Sequence, residues 1–253
     1  MTSPHPVDPP TGTPTQTATG PARGRFVALE GGDGAGKSTQ LALLATWLRE
    51  AGLSVVTTRE PGGTSLGVSL REVLLHSGEA VSPRAEALLF AADRAQHVAH
   101  LLEPSLAAGE WVVTDRYSDS SIAYQGAGRA LDRAEIASLS AWATGGLTPD
   151  LTVLLDVPTD IGAARRAGPA DRMESAPDAF HAQVRQGFLD LAAAAPQRYL
   201  VLDATGSPQE IAAAIRESLQ GWVPAPTAPQ TRPDASPSES PDASSDASSG
   251  SAP

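Results

Sequence analysis

The sequence predicts an α/β fold of three layers: a parallel five-stranded sheet flanked by helices. Three observations predict it. Five short apolar runs recur along the chain, "RFVALE" (25–30), "SVVTTRE" (54–60), "EWVVTDR" (110–116), "LTVLLDV" (151–157) and "RYLVLDA" (198–204). Helix signals lie between them. Glycines follow the first run. Alternation of this kind implies parallel strands covered on both faces. The ligand of such a sheet lies at the carboxyl ends of the strands.

Each element has a local reason. "RFVALE" is a buried strand that stops at glycines. From Ser38 to Glu50, Leu41, Leu44 and Leu48 recur at helical spacing. "SVVTTRE" is the second strand. Ser82 is a helix N-cap, with Pro83 at the first helical position of a long helix. "EWVVTDR" is the third strand, and Asp132 with Glu135 reads as a capping box. The last two strands follow. Ser207, Pro208 and Glu210 then open a helix that runs to about Trp222. Residues 1–22 are rich in Pro, Thr, Gly and Ala with no hydrophobic period, and read as a disordered arm. Residues 224–253 are a low-complexity Pro, Ser, Ala and Asp tail. The folded part is therefore expected over 23–223.

Composition narrows the function. The chain has 253 residues, a net charge of -11 and no Cys. No disulfide framework or thiolate metal site is open to it. The acidic balance argues against nucleic acid as a partner, which calls for a basic face. No apolar run reaches the length of a bilayer span, and the N-terminus lacks a charged segment before an apolar one. A cytoplasmic protein without a membrane partner is expected. Lys37 is the single lysine, among seventeen arginines, and there is no Asn.

That lysine lies in "GGDGAGKS" (31–38), which fits G-x-x-x-x-G-K-[ST] between a strand and a helix. Backbone N–H groups from Gly31, Gly32, Asp33, Gly34, Ala35 and Gly36, continuing to Thr39, can turn inward around phosphate oxygens. The helix N-terminus adds its partial positive charge. Lys37 can reach the β- and γ-phosphates, and the Ser38 hydroxyl can ligate Mg²⁺. The fold is thus of the P-loop NTPase type. A guanine reader of the form Asn-Lys-x-Asp is impossible without Asn or a second Lys. A motor or switch ATPase remains open, as does a kinase for a small acceptor.

Three further stretches point to an acceptor. In "TREPGGT" (58–64), Arg59 ends a strand and can face an anion, while the glycines allow close backbone approach. In "LLFAADRAQH" (88–97), Phe90 and Arg94 share a helix face, suited to stacking on a base and bonding its edge. Phe90 also suits a core, and Arg94 a pair with Asp93 or Glu86. In "VVTDRYSDSSIAYQG" (112–126), Asp115 and Arg116 stand at the ligand edge of the sheet. Asp115 can hold Mg²⁺ through water or position the acceptor, and Arg116 can clamp a phosphate. Ser120, Ser121, Tyr124 and Gln125 follow on one turn or short helix.

With "EGGDGAGKSTQ", "TREPGGT", "FAADRAQH", "TDRYSDSSIAYQG" and "PDLTVLLDV" in this order, the chain resembles the thymidylate kinases over about Arg25 to Trp222. The resemblance implies phosphoryl transfer from ATP to dTMP with Mg²⁺, giving dTDP and ADP for dTTP synthesis. It implies a homodimer as well. It places Asp33 near the deoxyribose 3′-hydroxyl, Phe90 on the thymine ring and Arg94 at its O4. Ser121 and Gln125 line the base and sugar, Tyr124 lies under C2′, and Arg59 and Arg116 hold the acceptor phosphate. Position 34, where one class of the family carries a basic residue, is Gly. The lid "ARRAGPADRMES" (164–175) must then supply the arginine. Arg172, after Asp171, is expected to be catalytic, with Arg165 and Arg166 nearer ATP. Lys37, Asp115 and Arg116 complete the catalytic set. The acceptor oxygen is already ionised, so no strong base is required, and His97 and His100 are expected at the surface or an interface.

Overall fold

The structure, a computed structural model, describes residues 22–78, 80–166 and 169–224. The two expected arms lie outside the described residues, save for Ala22 and Pro224, as do Ala167 and Gly168 of the expected lid.

Five strands form one sheet in the order β2-β3-β1-β4-β5, and every neighbouring pair is parallel. They are β1 (Phe26–Glu30), β2 (Val55–Arg59), β3 (Trp111–Asp115), β4 (Leu151–Asp156) and β5 (Tyr199–Asp203). The three central strands carry the continuous apolar runs and are buried almost throughout, whereas the edge strands β2 and β5 are partly exposed. Alternate residues of β1 serve the two faces. Val27 and Leu29 join Leu44, Leu48, Ile211 and Ile215 on one side. Phe26 and Ala28 join Val98, Leu102 and Tyr117 on the other.

The helices are α1 (Lys37–Glu50), α2 (Ser65–His76), α3 (Pro83–His97), α4 (Glu103–Ala107), α5 (Ser118–Ser121), α6 (Arg133–Ala143), α7 (Thr159–Arg165), α8 (Asp178–Ala194) and α9 (Pro208–Leu219). Ser82 caps α3 as its sequence suggests, accepting from Ala85 N–H. Asp132 caps α6 by accepting from Ala134 and Glu135 N–H, and a reciprocal box with both bonds is found at Ser207 and Glu210. Two departures matter for the site. The residues after "TREPGGT", to which the sequence assigned no element, form α2, started by the Thr64 hydroxyl accepting from Gly67 N–H. Residues Ile122–Gly128 wind as a π-helical turn, in which Arg129 N–H reaches the Tyr124 carbonyl at 2.9 Å. Such wide turns are common at functional sites. No described helix is long and apolar enough to cross a membrane.

From β1 the chain builds β2 and β3 on one side and later β4 and β5 on the other. The order therefore reverses at β1, and the crevice there receives the ligand. The register pairs Leu29 with Asp115, which sets the end of β3 beside the glycine loop.

Candidate active site

One cavity of about 630 Å³ opens at this edge, a size usual for small-molecule sites. It runs from the phosphate loop and Lys37 to Phe90, Arg94 and Gln125. The loop turns through Gly31, Gly34 and Gly36, all at positive φ. A Cβ at Gly34 would lie 2.0 Å from the Gly162 carbonyl oxygen of α7. That contact gives a steric reason for the absence of a basic side chain there. The buried Lys37 donates through Nζ to the carbonyls of Gly31 (3.2 Å) and Gly32 (2.8 Å). Burial pushes its pKa down and Arg116 adds to that, against Asp115, Asp33 and Glu30. The Ser38 hydroxyl donates to Asp115 Oδ2 at 2.9 Å. These two hard oxygen donors stand together, as a Mg²⁺ site shared with phosphates requires.

Arg116 follows β3 at φ 72, a left-handed conformation rare outside glycine. This turn throws its guanidinium back over the loop. One nitrogen bonds the Gly31 carbonyl (2.9 Å) and the Ser120 hydroxyl (3.1 Å); the other bonds Asp33 (2.6 Å) and Tyr124 Oη (3.1 Å). Tyr124 Oη donates to the second Asp33 oxygen at 2.9 Å. Burial alone would raise the Asp33 pKa; Arg116, Lys37 and the Tyr124 bond overcome it and hold the group at about 2. Glu30, three residues earlier, goes the other way. Burial, then the Asp119 charge, raise it to about 7 against Arg116, although it accepts from Tyr117 N–H, Ser120 N–H and the Ser120 hydroxyl.

Arg94 is buried. Its Nε donates to Glu60 at 2.8 Å, and one terminal nitrogen to the Tyr117 carbonyl and the Ser121 hydroxyl. The other terminal nitrogen, Nη1, is buried with no protein partner. Phe90 is half-buried and lines the same wall, as does the buried Gln125. The partner of Arg94 is thus Glu60, from the "TREPGGT" stretch, rather than Asp93 or Glu86. Arg59 lines the cavity from the end of β2, and Arg71 joins it from α2, bonding the Pro61 carbonyl at 3.0 Å. Burial, then the nearby Arg59, lower the Arg71 pKa.

The lid arginines separate. Arg165 lines the main cavity and donates to the carbonyls of Ala204 (2.6 Å) and Thr205 (3.1 Å). Arg166 donates to the Glu174 carbonyl at 3.2 Å and lines a small cavity with Gly31, Gly32 and Asp33. Arg172 was expected to face the phosphates, and it does not. Its guanidinium pairs with the fully buried Glu86 at 2.6 Å and bonds the Leu74 carbonyl at 2.8 Å. The acidic partner, out of sight in the local sequence, holds it on the acceptor side.

Sequence reasoning also missed Glu30, Glu60 and Arg71, and it named Glu86 only as a possible partner of Arg94. His97 corrects another expectation. It is fully buried, with Nδ1 2.8 Å from Glu60 and Nε2 2.7 Å from the Thr58 hydroxyl. A Cβ at Gly63 would strike its ring, so the second glycine of "TREPGGT" serves that packing. His100 is exposed as expected.

A family model, thymidylate kinase, matches residues 29–215. The chain belongs to the thymidylate kinase family. It is 57% identical over 207 residues to the thymidylate kinase of Clavibacter michiganensis subsp. michiganensis, covering 80% of this chain and 97% of the relative. It is 57% identical over 199 residues to that of Cutibacterium acnes, covering 78% and 97%. The crystal structure of thymidylate kinase from Ehrlichia chaffeensis superposes with a TM-score of 0.65 at 33% identity, covering 78% of this chain and 99% of that one. Membership of the family makes the chain an enzyme that transfers a phosphoryl group from ATP to dTMP. The switch and motor alternatives fall away.

Proposed function

We propose that the main cavity holds ATP and dTMP end to end, with the phosphate loop between them. The observation that carries this reading is Arg94 Nη1, which is buried without a protein acceptor on the wall that also carries Phe90 and Gln125. A buried donor left without a partner costs about 1–3 kcal/mol. Thymine O4 supplies that acceptor, with the Phe90 ring against the base and Ser121 and Gln125 beside it. Asp33 accepts from the 3′-hydroxyl and Tyr124 lies under C2′. Arg59, Arg116 and Arg71 hold the acceptor phosphate.

On the donor side, the loop from Gly31 to Thr39 takes the phosphates, Lys37 bridges the β- and γ-groups, and Arg165 covers the base side near Ala204. Ser38 and Asp115 fit Mg²⁺, which when bound neutralises charge on the phosphates. Transfer then needs alignment and charge, and no general base, because the attacking oxygen is already ionised. Arg166 supplies the mobile charge. Among the described residues it bonds the Glu174 backbone carbonyl, and it sits at the C-cap of α7 beside the loop. Arg172 takes a positioning role. A panel of dTMP, dUMP, UMP and thymidine with ATP tests the acceptor assignment; equal specificity constants across the panel would overturn it. Chelation should abolish turnover and Mg²⁺ restore it.

A homodimer is the further part of this reading. Leu66, Val68 and Val73 of α2, Leu88 of α3 and Trp142 of α6 are large apolar residues left exposed on neighbouring helices. Light scattering should give twice the chain mass, and Trp142→Glu should lower it. The reading places the enzyme in the cytoplasm, where its substrates are.

A further inference from the structure

Glu86 lies in the first turn of α3 with its side chain fully buried, yet it is not on the cavity wall. A buried carboxylate is costly unless it is paired and bonded. Here three side chains converge on it. Gln125 Nε2 donates to Oε1 at 2.8 Å, Arg129 reaches both oxygens at 3.3 Å, and Arg172 Nη1 lies 2.6 Å from Oε2. Arg129 comes from the end of the π-helical turn and Arg172 from the lid.

We infer that Glu86 is a positioning residue that fixes which way round the Gln125 amide faces the acceptor base, and so favours thymine over cytosine. The inference rests on the reading that Gln125 meets the base. A carboxylate offers acceptors only, whereas a glutamine amide has a donor end and an acceptor end. The end of Gln125 that turns to Glu86 must be its NH₂. Its carbonyl oxygen is what remains for the cavity. Thymine carries a hydrogen at N3 and can donate to that oxygen; cytosine presents a bare N3 and cannot. Sites that read a base edge through buried polar groups reject the mismatched analogue because a group is left unpaired. The same carboxylate holds Arg172, and Arg129 also contacts Met173 Sδ at 3.5 Å. The base reader and the lid are therefore fastened to one point.

The test compares specificity constants for dTMP and dCMP in Glu86→Gln, Gln125→Met and the unsubstituted enzyme. The new amide at 86 can donate or accept, so Gln125 is free to turn over. The dTMP-to-dCMP ratio should fall by about tenfold or more, a fraction of what such pockets can reject. Arg172→Met should leave the ratio unchanged, because Arg129 still holds Glu86 and Glu86 still holds the Gln125 amide. A folded Glu86→Gln enzyme whose ratio stays within about twofold of the parent, while Gln125→Met lowers it, overturns the inference. If Gln125→Met also leaves the ratio unchanged, the base-reading role of Gln125 is wrong and the inference falls with it. Glu86→Gln leaves two guanidinium groups without a carboxylate. Should it not fold, Glu86→Gln with Arg172→Met removes one of them and is read the same way. In the unsubstituted protein, the Gln125 side-chain NH₂ signals, identified by their loss in Gln125→Met, should be protected from solvent exchange before dTMP is added. Exchange as fast as in free glutamine overturns the inference independently.

Discussion

The acceptor wall and the lid are both built on arginines, and they hold them differently. On the wall, Arg94 is tied to Glu60, and Arg116 to Asp33, through ion pairs with little exposure. In the lid, among the described residues, Arg165 and Arg166 bond backbone carbonyls. A buried ion pair is expensive to break, because the remaining charge is left without compensation. A surface bond to a carbonyl is exchanged for another acceptor at little cost. The wall is therefore pre-set for its ligand, and the lid arginines are free to follow a phosphate. Arg172 belongs to the lid by sequence and to the wall by its bonding.

The largest effect should expose that division. Arg166→Ala should cut turnover by about 10³-fold, the lower end of what an arginine brought to a transferring phosphate contributes. The KM for dTMP should barely change, since the lost interaction belongs to the transition state. Arg172→Ala should do the reverse, raising the KM for dTMP and costing about 3 kcal/mol of stability through the pairing lost by Glu86. Steady-state kinetics and urea denaturation on both variants decide it. If Arg172→Ala loses turnover and Arg166→Ala does not, the division is wrong.

Two carboxylates of the wall sharpen the comparison through pH. Glu30 is raised to about 7 from 4.5, so its contribution to stability is present below about pH 4.5 and is lost as pH rises through about 7. The loss amounts to up to about 3 kcal/mol. Glu30→Gln keeps the shape and should flatten this part of the profile. Asp33 is lowered from 3.8 to about 2, so its contribution is present above about pH 4 and is lost as pH falls through about 2. Asp33→Asn should remove about 2 kcal/mol at neutral pH, and little at the acid end. Denaturation series over pH in the two variants should thus diverge in opposite windows. Parallel profiles would show that the charges around Arg116 are not arranged as described.

Much of this was legible in the sequence, and for a local reason. The phosphate loop is one unbroken segment between a strand and a helix, so its geometry follows from its own glycines. Asp115 and Arg116 were legible because a buried strand ends there. Phe90 and Arg94 were legible as a pair four residues apart on α3. What failed was whatever depends on a distant partner. Arg172 meets Glu86, and His97 meets Glu60 and Thr58, across sequence separations that no local pattern records. The α2 helix follows the glycines of "TREPGGT" and was assigned no element from the sequence, and Arg71 was missed with it. Gly34 shows in the sequence that the loop carries no charge there, whereas the steric cause, the Gly162 carbonyl, comes from α7.

The smallest effect tests Tyr124, where wall and sugar site coincide. Its ring packs edge-on against Phe180 and Phe188, at 6.0 and 6.2 Å between centroids, and is buried. Its hydroxyl is bonded to Asp33 and Arg116. Tyr124→Ala removes both features and opens a cavity between two phenylalanines, a change that costs about 3–5 kcal/mol and obscures any effect on sugar choice. Tyr124→Phe separates them. The ring stays, so the preference for dTMP over its ribose analogue should persist. The hydroxyl goes, so Asp33 loses one donor and Arg116 one neighbour. One hydrogen bond to a charged group contributes about 1.5–3 kcal/mol, and Arg116 still holds Asp33, so the specificity constant should fall by only about fivefold to tenfold. An intact sugar preference with that modest loss assigns selection to the ring and alignment to the hydroxyl. A collapse of the preference in Tyr124→Phe would instead place sugar selection in the Asp33–Tyr124–Arg116 hydrogen bonds, and the ring would be packing alone.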